Sequence, residues 1–277
     1  MFKYRLAFLF LLSTTAILCG CKPVTDQEKQ PEIAVSNSYL QCAVKDLCPD
    51  NTEVLSLAPP GMCPGHFDIS PSQVNQLGNC RILLLFDFQE KIDSSMASLK
   101  SKGLKTSLVK TQPGMCIPDV YLATCREVCD ILSLEFPDRE TGYRQRLDII
   151  DERLSKLSVE LKNAINDSEL ASVKVVSSGH QSEFVNWLGL ETAATFEGSD
   201  LETFFNITEC LNKAQGQDVR FVIANKQEGT SLADSLAKRL GIQTVVFGNF
   251  PESAKGRKGF DELLQQNVKF LFEAASK

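Results

Sequence analysis

The sequence predicts an α/β fold with two lobes, each a mostly parallel sheet flanked by helices, joined by one long backbone helix. Short apolar runs typical of strands alternate with helical patterns in both halves of the 277-residue chain, and one long amphipathic segment separates the halves. Strands that alternate with helices are typical of parallel βαβ units. Because ligands of open α/β sheets bind beyond the carboxyl ends of the strands, we expect a ligand cleft between the lobes.

The first twenty residues have the pattern of an export signal. Lys3 and Arg5 precede an apolar run over 6–20, which is too short for a transmembrane helix of roughly 20 residues. The run ends in Leu18-Cys19-Gly20-Cys21, which resembles the lipobox of bacterial lipoproteins. We therefore predict a lipoprotein signal peptide over 1–20, lipidation of Cys21 and a polar tether over 21–32. An ordinary secretory signal is the alternative.

The N-terminal α/β lobe is predicted over 33–137. Its strands are predicted at 53–57, 81–86 and 106–110, and its helices at 70–77, 90–100 and 119–134. The run Ile82-Leu83-Leu84-Leu85-Phe86 is continuously apolar. Such a run is expected of a strand that is buried on both faces of a parallel sheet.

The connecting helix is predicted over 138–168, after Pro137, which suits a helix start. Apolar residues recur there at steps of three and four: Tyr143, Leu147, Ile150, Leu154, Leu157, Leu161 and Ile165. A coiled-coil dimer would also bury this stripe. Because the helix stands between two α/β halves, we expect it to pack across both lobes of a monomer.

The C-terminal α/β lobe is predicted over 169–277 and repeats the alternation. Its strands are predicted at 174–176, 193–196, 219–224 and 243–247, and its helices at 183–188, 200–213, 231–240 and 260–274.

Composition and motifs exclude two classes of function. Asp and Glu number 35 against 29 Lys and Arg, so the formal charge is −6, and binding to nucleic-acid phosphates is not expected. The chain has no Gly-x-Ser-x-Gly elbow, Gly-rich phosphate loop or evident carboxylate dyad. We therefore expect a protein that is not an enzyme.

The chain is rich in cysteine and poor in histidine, with ten Cys and two His. Cys19 leaves with the signal and Cys21 carries lipid, so eight remain. An even number in an exported protein permits disulfides, in any of 105 pairings. The eight are Cys42, Cys48, Cys63, Cys80, Cys116, Cys125, Cys129 and Cys210.

Four segments carry a family resemblance. They are the Pro-Pro-Gly loop at 59–72, Pro-Asp-Val-Tyr-Leu at 118–122, Ser-Ser-Gly-His and the following helix at 177–190, and the stretch 221–248. Together they resemble the zinc- and manganese-type solute-binding proteins of bacterial ABC importers. The resemblance implies a protein on the periplasmic or other extracytoplasmic face that captures a transition-metal ion for an ABC permease.

The ligand set implied by this resemblance departs from the family pattern. His66 lies one residue beyond the first family ligand, which Gly65 replaces, and Asp119 stands in place of the second histidine. His180 lies near the third ligand, and Asn225 lies where a family carboxylate is expected. An Asn carbonyl is a weak ligand compared with a carboxylate. The usual three-histidine site is therefore absent.

Gly-Met-Cys occurs twice, at 61–63 and 114–116. The first copy continues as Cys-x-x-His and the second as Cys-x-x-Asp. Two donors so spaced in a tight loop can bind one ion, and thiolate with imidazole favours Zn²⁺ or Cu⁺ over Mn²⁺. The candidate metal ligands are His66, His180, Cys63, Cys116, Asp119 and Asn225. The alternatives are a Cys63–Cys116 disulfide, a metal chelate as cargo, and a metal-free adhesin or interaction lipoprotein.

Overall fold

The computed structural model describes residues 30–62, 68–198, 204–252 and 258–277. It contains two four-stranded parallel sheets flanked by helices, with one long helix between them, and this confirms the predicted fold class. The predicted signal peptide, Cys21 and the tether through residue 29 lie outside the described residues. No helix within the described ranges is long and apolar enough to cross a membrane.

The N-terminal sheet consists of β1 (Ile33–Val35), β2 (Val54–Ser56), β3 (Ile82–Phe86) and β4 (Lys105–Val109). The strand order is β2-β1-β3-β4. The flanking helices are α1 (Ser38–Leu47), α2 (Pro71–Leu77), α3 (Glu90–Ser95), α4 (Ala97–Lys100) and α5 (Pro118–Glu135). All five residues of β3 are buried, as its unbroken apolar sequence predicts for a central parallel strand.

The long helix α6 (Glu140–Asn166) packs against α1, α5 and, further along the chain, the C-terminal helix α10 (Gly259–Ala275). Six residues of its predicted stripe are buried, namely Tyr143, Ile150, Leu154, Leu157, Leu161 and Ile165. At about 1.5 Å per residue the helix spans about 40 Å. Because the stripe is covered within one chain, it needs no coiled-coil partner.

The C-terminal sheet consists of β5 (Lys174–Ser178), β6 (Glu191–Phe196), β7 (Phe221–Asn225) and β8 (Gln243–Phe247), in the order β6-β5-β7-β8. Its other helices are α7 (Gly179–Leu188), α8 (Phe204–Ala214) and α9 (Ser231–Leu240). Both sheets therefore have the same strand topology. In each, the strand order reverses between the two central strands, and the loops that follow those strands form the crevice where such sheets bind ligands.

A buried ion-pair cluster joins both lobes to α6. Both terminal nitrogens of Arg153 bind the carboxylate of Asp46 in α1, at 3.1 and 2.5 Å. Its Nε lies 3.2 Å from Oδ2 of Asp261 in α10. Tyr121 Oη donates to Asp46 at 3.0 Å, as does the backbone nitrogen of Lys258 at 3.1 Å. One guanidinium thus faces two carboxylates whose side chains are at most 11% exposed.

This shared arginine leads to a prediction about pH. Burial raises the pKa of Asp261 to about 6; Arg153 lowers it in part, and the Asp46 charge raises it again. A carboxyl with a higher pKa in the folded chain stabilises the fold when it is protonated, and the contribution is lost as the pH rises through about 6. The difference in unfolding free energy between Asp261→Asn and wild type is expected to shift by about 2.5 kcal/mol in favour of the variant from about pH 4 to pH 7.5.

Urea unfolding at several pH values measures this difference. The matched control is Asp151→Asn, because the Asp151 side chain is 49% exposed in a surface pair with Arg126. We expect its unfolding free energy to follow that of the wild type at every pH. Parallel curves for Asp261→Asn and wild type would show that folding does not raise the pKa of Asp261.

Five described cysteines carry free thiols and are buried: Cys42, Cys80, Cys116, Cys125 and Cys129. Disulfides, which the even number of cysteines permits, are therefore not confirmed at these positions. Burial raises the pKa of the Cys80 thiol to about 11 and also raises that of Cys129. Thiols with a raised pKa stay protonated at neutral pH and react slowly.

Two features of the N-terminal lobe differ from the sequence prediction. The central strand β1 was not predicted, because its three apolar residues show no period that separates them from a tether. The predicted helix 90–100 is instead the two short helices α3 and α4, which meet at Met96. Since β1 lies beside β3, its omission hid the strand order of the sheet.

Candidate functional site

The two loops with the Gly-Met-Cys sequence both lie against the C-terminal lobe. The backbone nitrogen of Gly61 donates to Pro251 O at 3.0 Å, and Gly61 O accepts from Gln227 Nε2 at 2.8 Å. The Cys116 Sγ lies 3.2 Å from Gly248 O. Gly61 and Gly114 have φ angles of 75° and 76°, so the repeated sequence marks the same left-handed turn in both loops.

Beside these loops lies an inter-lobe cavity of about 470 Å³. The N-terminal lobe lines it with the loop after β4, and the C-terminal lobe with residues that follow β5, β6 and β8. The lining residues are Thr111, Gln112, Pro113, Gly114, Met115, Gly179, His180, Glu183, Glu197 and Asn249. The cavity therefore stands at the carboxyl ends of the strands, where the fold predicts a ligand.

His180 lies in the first turn of α7, which follows the central strand β5. Its Nδ1 is 2.8 Å from Oε1 of Glu228, a residue just beyond the neighbouring strand β7. The His180 side chain is 57% exposed, whereas that of Glu228 is 16% exposed. Ser178 ends β5, and its Oγ donates to Oε2 of Glu228 at 2.6 Å. The two central strands thus deliver the histidine and its carboxylate to the cavity edge together.

The contacts of this pair shift both pKa values toward the charged forms. The hydrogen bond to Glu228 raises the pKa of His180 and outweighs the opposing effect of partial burial. Burial raises the pKa of Glu228, but the hydrogen bonds from His180 and Ser178 outweigh it and leave the pKa below its usual range. The carboxylate is therefore ionised at neutral pH and acts as a hydrogen-bond acceptor.

Behind His180, neutral polar side chains fill the centre between the lobes. Gln181 Nε2 donates to Oδ1 of Asn249 at 2.9 Å and to Oδ1 of Asn225 at 3.3 Å. Cys116 Sγ lies 3.4 Å from the same Asn249 oxygen. All four side chains belong to residues at most 4% exposed. This network brings together Cys116 and Asn225, two of the predicted ligands.

Cys116 is held as a thiol within this network. Burial raises the pKa of Cys116 well above its usual range. Because the thiolate is the form that binds metal, a buried thiol with a raised pKa is a poor ligand. The alternative of a Cys63–Cys116 disulfide is also not supported, since Cys116 carries a free thiol.

The other predicted ligands do not join this group. Asp119 is exposed in the first turn of α5 and is not among the residues that line the cavity. Cys63 and His66 lie outside the described residues. Within the described ranges, no three His, Cys, Asp or Glu side chains lie close enough together to hold one metal ion.

Glu228, Gln181 and Glu197 belong to the site but were not predicted from the sequence. Each follows a strand of the C-terminal sheet by one to three residues, as the bounds of β5, β6 and β7 make clear. That position is the signal that identifies them, once the strand order places β5 between β6 and β7.

The chain is similar to proteins of known family and fold. The model of one family, described as “ZnuA: Zinc-uptake complex component A periplasmic”, matches residues 33–274. A “Putative metal-binding protein” of Thermotoga maritima is 23% identical over 241 residues, which cover 83% of this chain and 88% of that protein.

Two solved structures have a similar fold. The SBP FpvC of P. aeruginosa in complex with Ni²⁺ has a TM-score of 0.70 and 15% identity, and the match covers 90% of this chain and 97% of FpvC. A mutant of the laminin-binding adhesin Lmb of Streptococcus agalactiae has a TM-score of 0.70 and 14% identity, with 88% and 99% covered. At such identities the likeness concerns the fold alone.

Proposed function

Because the chain belongs to the family of periplasmic components of zinc-uptake complexes, we propose that it captures Zn²⁺ in the inter-lobe cavity and delivers it to an ABC permease. Membership of this family makes it a metal-binding, extracytoplasmic solute-binding protein without enzymatic activity. Cu⁺ and Mn²⁺ are the alternative ions. The observation that carries the proposal is the position of His180, whose imidazole lines the cavity and binds a carboxylate through Nδ1.

We propose His180 as the first ligand, together with His66 and Cys63, which lie outside the described residues. Cys116, Asp119 and Asn225 complete the predicted set, but a buried thiol and an exposed carboxylate have less favourable positions. Glu183 and Glu197 line the cavity beside His180 and add negative charge that attracts a cation.

The N-terminal sequence supports a membrane anchor for this protein. We propose that Cys21 becomes the lipidated N-terminus after removal of residues 1–20. The tether of residues 21–32 then connects the lipid to β1, which begins at Ile33. Such an anchor keeps the protein at the membrane surface, where a permease takes up the ion.

A metal titration tests the proposed function. The mature chain, with its thiols reduced, is titrated separately with Zn²⁺, Cu⁺ and Mn²⁺ in competition with a chelator of known affinity. We expect one ion per chain, with Zn²⁺ bound more tightly than Mn²⁺, because imidazole and thiolate ligands favour it. Failure to bind any of the three ions at micromolar concentration would contradict the proposal.

Two alternative functions would use the same fold. The cavity of about 470 Å³ is many times the roughly 30 Å³ of one water molecule, so a metal chelate has room to bind. A metal-free adhesin or interaction lipoprotein is the other alternative. Binding of a chelate in preference to the free ion, or of laminin without metal, would identify these functions.

A further inference from the structure

We propose that Glu228 is a positioning residue for the cargo ligand His180. It fixes the imidazole in the orientation and tautomer in which Nδ1 carries the hydrogen and Nε2 is offered to the ion. This inference rests on the proposed function, because it assumes that His180 binds the ion. The hydrogen bond between His180 and Glu228 is nevertheless present in the protein without metal.

The contacts form a closed ring of three residues. Oε1 of Glu228 lies 2.8 Å from Nδ1 of His180, and Oε2 accepts the hydrogen of Ser178 Oγ at 2.6 Å. The same Ser178 Oγ accepts from the backbone nitrogen of His180 at 3.3 Å. Both carboxylate oxygens of Glu228 are therefore hydrogen-bonded, and these contacts hold the side chain beside the imidazole.

The backbone makes room for this carboxylate. A Cβ atom on Gly198, in the loop after β6, would lie 3.0 Å from Oε1 of Glu228 and 3.3 Å from its Cδ. Real Cβ atoms are rarely so close to a neighbour. The glycine therefore allows Glu228 to approach His180 across the ends of β6, β5 and β7.

The consequence for His180 is chemical. An ionised carboxylate accepts a hydrogen bond but donates none, so the imidazole nitrogen beside it must carry the hydrogen. Nε2 then keeps its lone pair and has no hydrogen-bond partner among the described residues. Histidines that bind metals are typically oriented in this way, and loss of the outer partner costs about 10–100-fold in metal affinity.

The tautomer can be measured without metal, because the chain has only two histidines. The full mature chain, labelled with ¹⁵N at histidine, is studied by NMR at a pH where the imidazoles are neutral. A His66→Asn variant assigns the two spectra. For His180 we expect a protonated Nδ1 and an unprotonated Nε2. The opposite tautomer in the wild-type protein would overturn the inference.

Two variants separate positioning from a merely structural role. Glu228→Ala removes the acceptor, so we expect the Nδ1–H tautomer to be lost and Zn²⁺ affinity to fall about 10–100-fold. Glu228→Gln keeps an acceptor oxygen, so we expect this variant to retain more of the Nδ1–H tautomer and a higher Zn²⁺ affinity than Glu228→Ala. The matched controls are Glu152→Ala and Glu152→Gln, since Glu152 is 70% exposed on α6 in a pair with Lys156.

The outcomes distinguish this inference from the proposed function. If Glu228→Ala keeps the wild-type tautomer, or binds Zn²⁺ as tightly as Glu152→Ala, Glu228 does not position a ligand. If neither the wild type nor any variant binds a metal, the proposed function fails. The wild-type and Glu228→Ala spectra then still decide whether Glu228 sets the tautomer of His180.

Discussion

Replacing Arg153 with alanine is expected to lower the free energy of unfolding by about 3–5 kcal/mol, because it leaves two buried carboxylates without a counter-charge. The side chain of Asp46 is fully buried and that of Asp261 is 11% exposed, so bulk water hydrates these two carboxylates poorly. The two carboxylates belong to α1 and α10, which lie in different lobes, so the loss also weakens the attachment of the lobes to α6. Denaturant unfolding at neutral pH measures this effect.

The control for this experiment is an arginine in a surface pair. Arg126 and Asp151 lie 3.0 Å apart with side chains 53% and 49% exposed. We expect Arg126→Ala to change the unfolding free energy by less than about 1 kcal/mol, as exposed ion pairs usually do. Equal losses in the two variants would mean that the Arg153 cluster is hydrated like a surface pair.

The second large effect is expected in metal binding. We expect His180→Ala to weaken Zn²⁺ binding by more than about 100-fold, the upper end of the loss caused by removing an outer partner of a ligand. The imidazole is 57% exposed, so its removal leaves little buried volume unfilled and the fold should be unaffected. Competitive titration against a chelator measures the affinity, with unfolding curves recorded in parallel.

Cys116→Ser is the comparison for His180→Ala, because the sequence predicts both Cys116 and His180 as ligands. Cys116 is 1% exposed and lies against Gly248 O, and burial raises its pKa, so the thiol stays protonated. We therefore expect this variant to bind Zn²⁺ nearly as tightly as the wild type. An equal loss in both variants would show that the thiol turns toward the ion and ionises when metal binds.

Most of the fold could be predicted because its signals are long or strongly patterned. The stripe on α6 repeats over seven apolar residues, and the run from Ile82 to Phe86 is unbroken. The strand β1 could not be found in the same way, because three buried residues beside a polar tether have no measurable period. It became recognisable only through its pairing with β2 and β3.

The site was predicted less completely because side-chain environment depends on packing. His180 was predicted because its segment resembles the one that carries the third histidine ligand in the family, and because the chain has only two histidines. Glu228 was missed because its partner is 48 residues away along the chain and is brought close only by the pairing of β5 with β7. Cys116 has ligand spacing in the sequence, yet its burial against Gly248 arises from contact between the lobes.

The central claim is that the inter-lobe cavity holds the metal ion with Nε2 of His180 as a ligand. An anomalous-difference map from a crystal of the Zn²⁺-loaded protein tests it most directly. We expect one strong peak in the cavity, about 2.0–2.1 Å from Nε2 of His180, with Glu228 still on Nδ1. A Zn²⁺ peak that lies next to other residues, with His180 facing solvent, would contradict the claim.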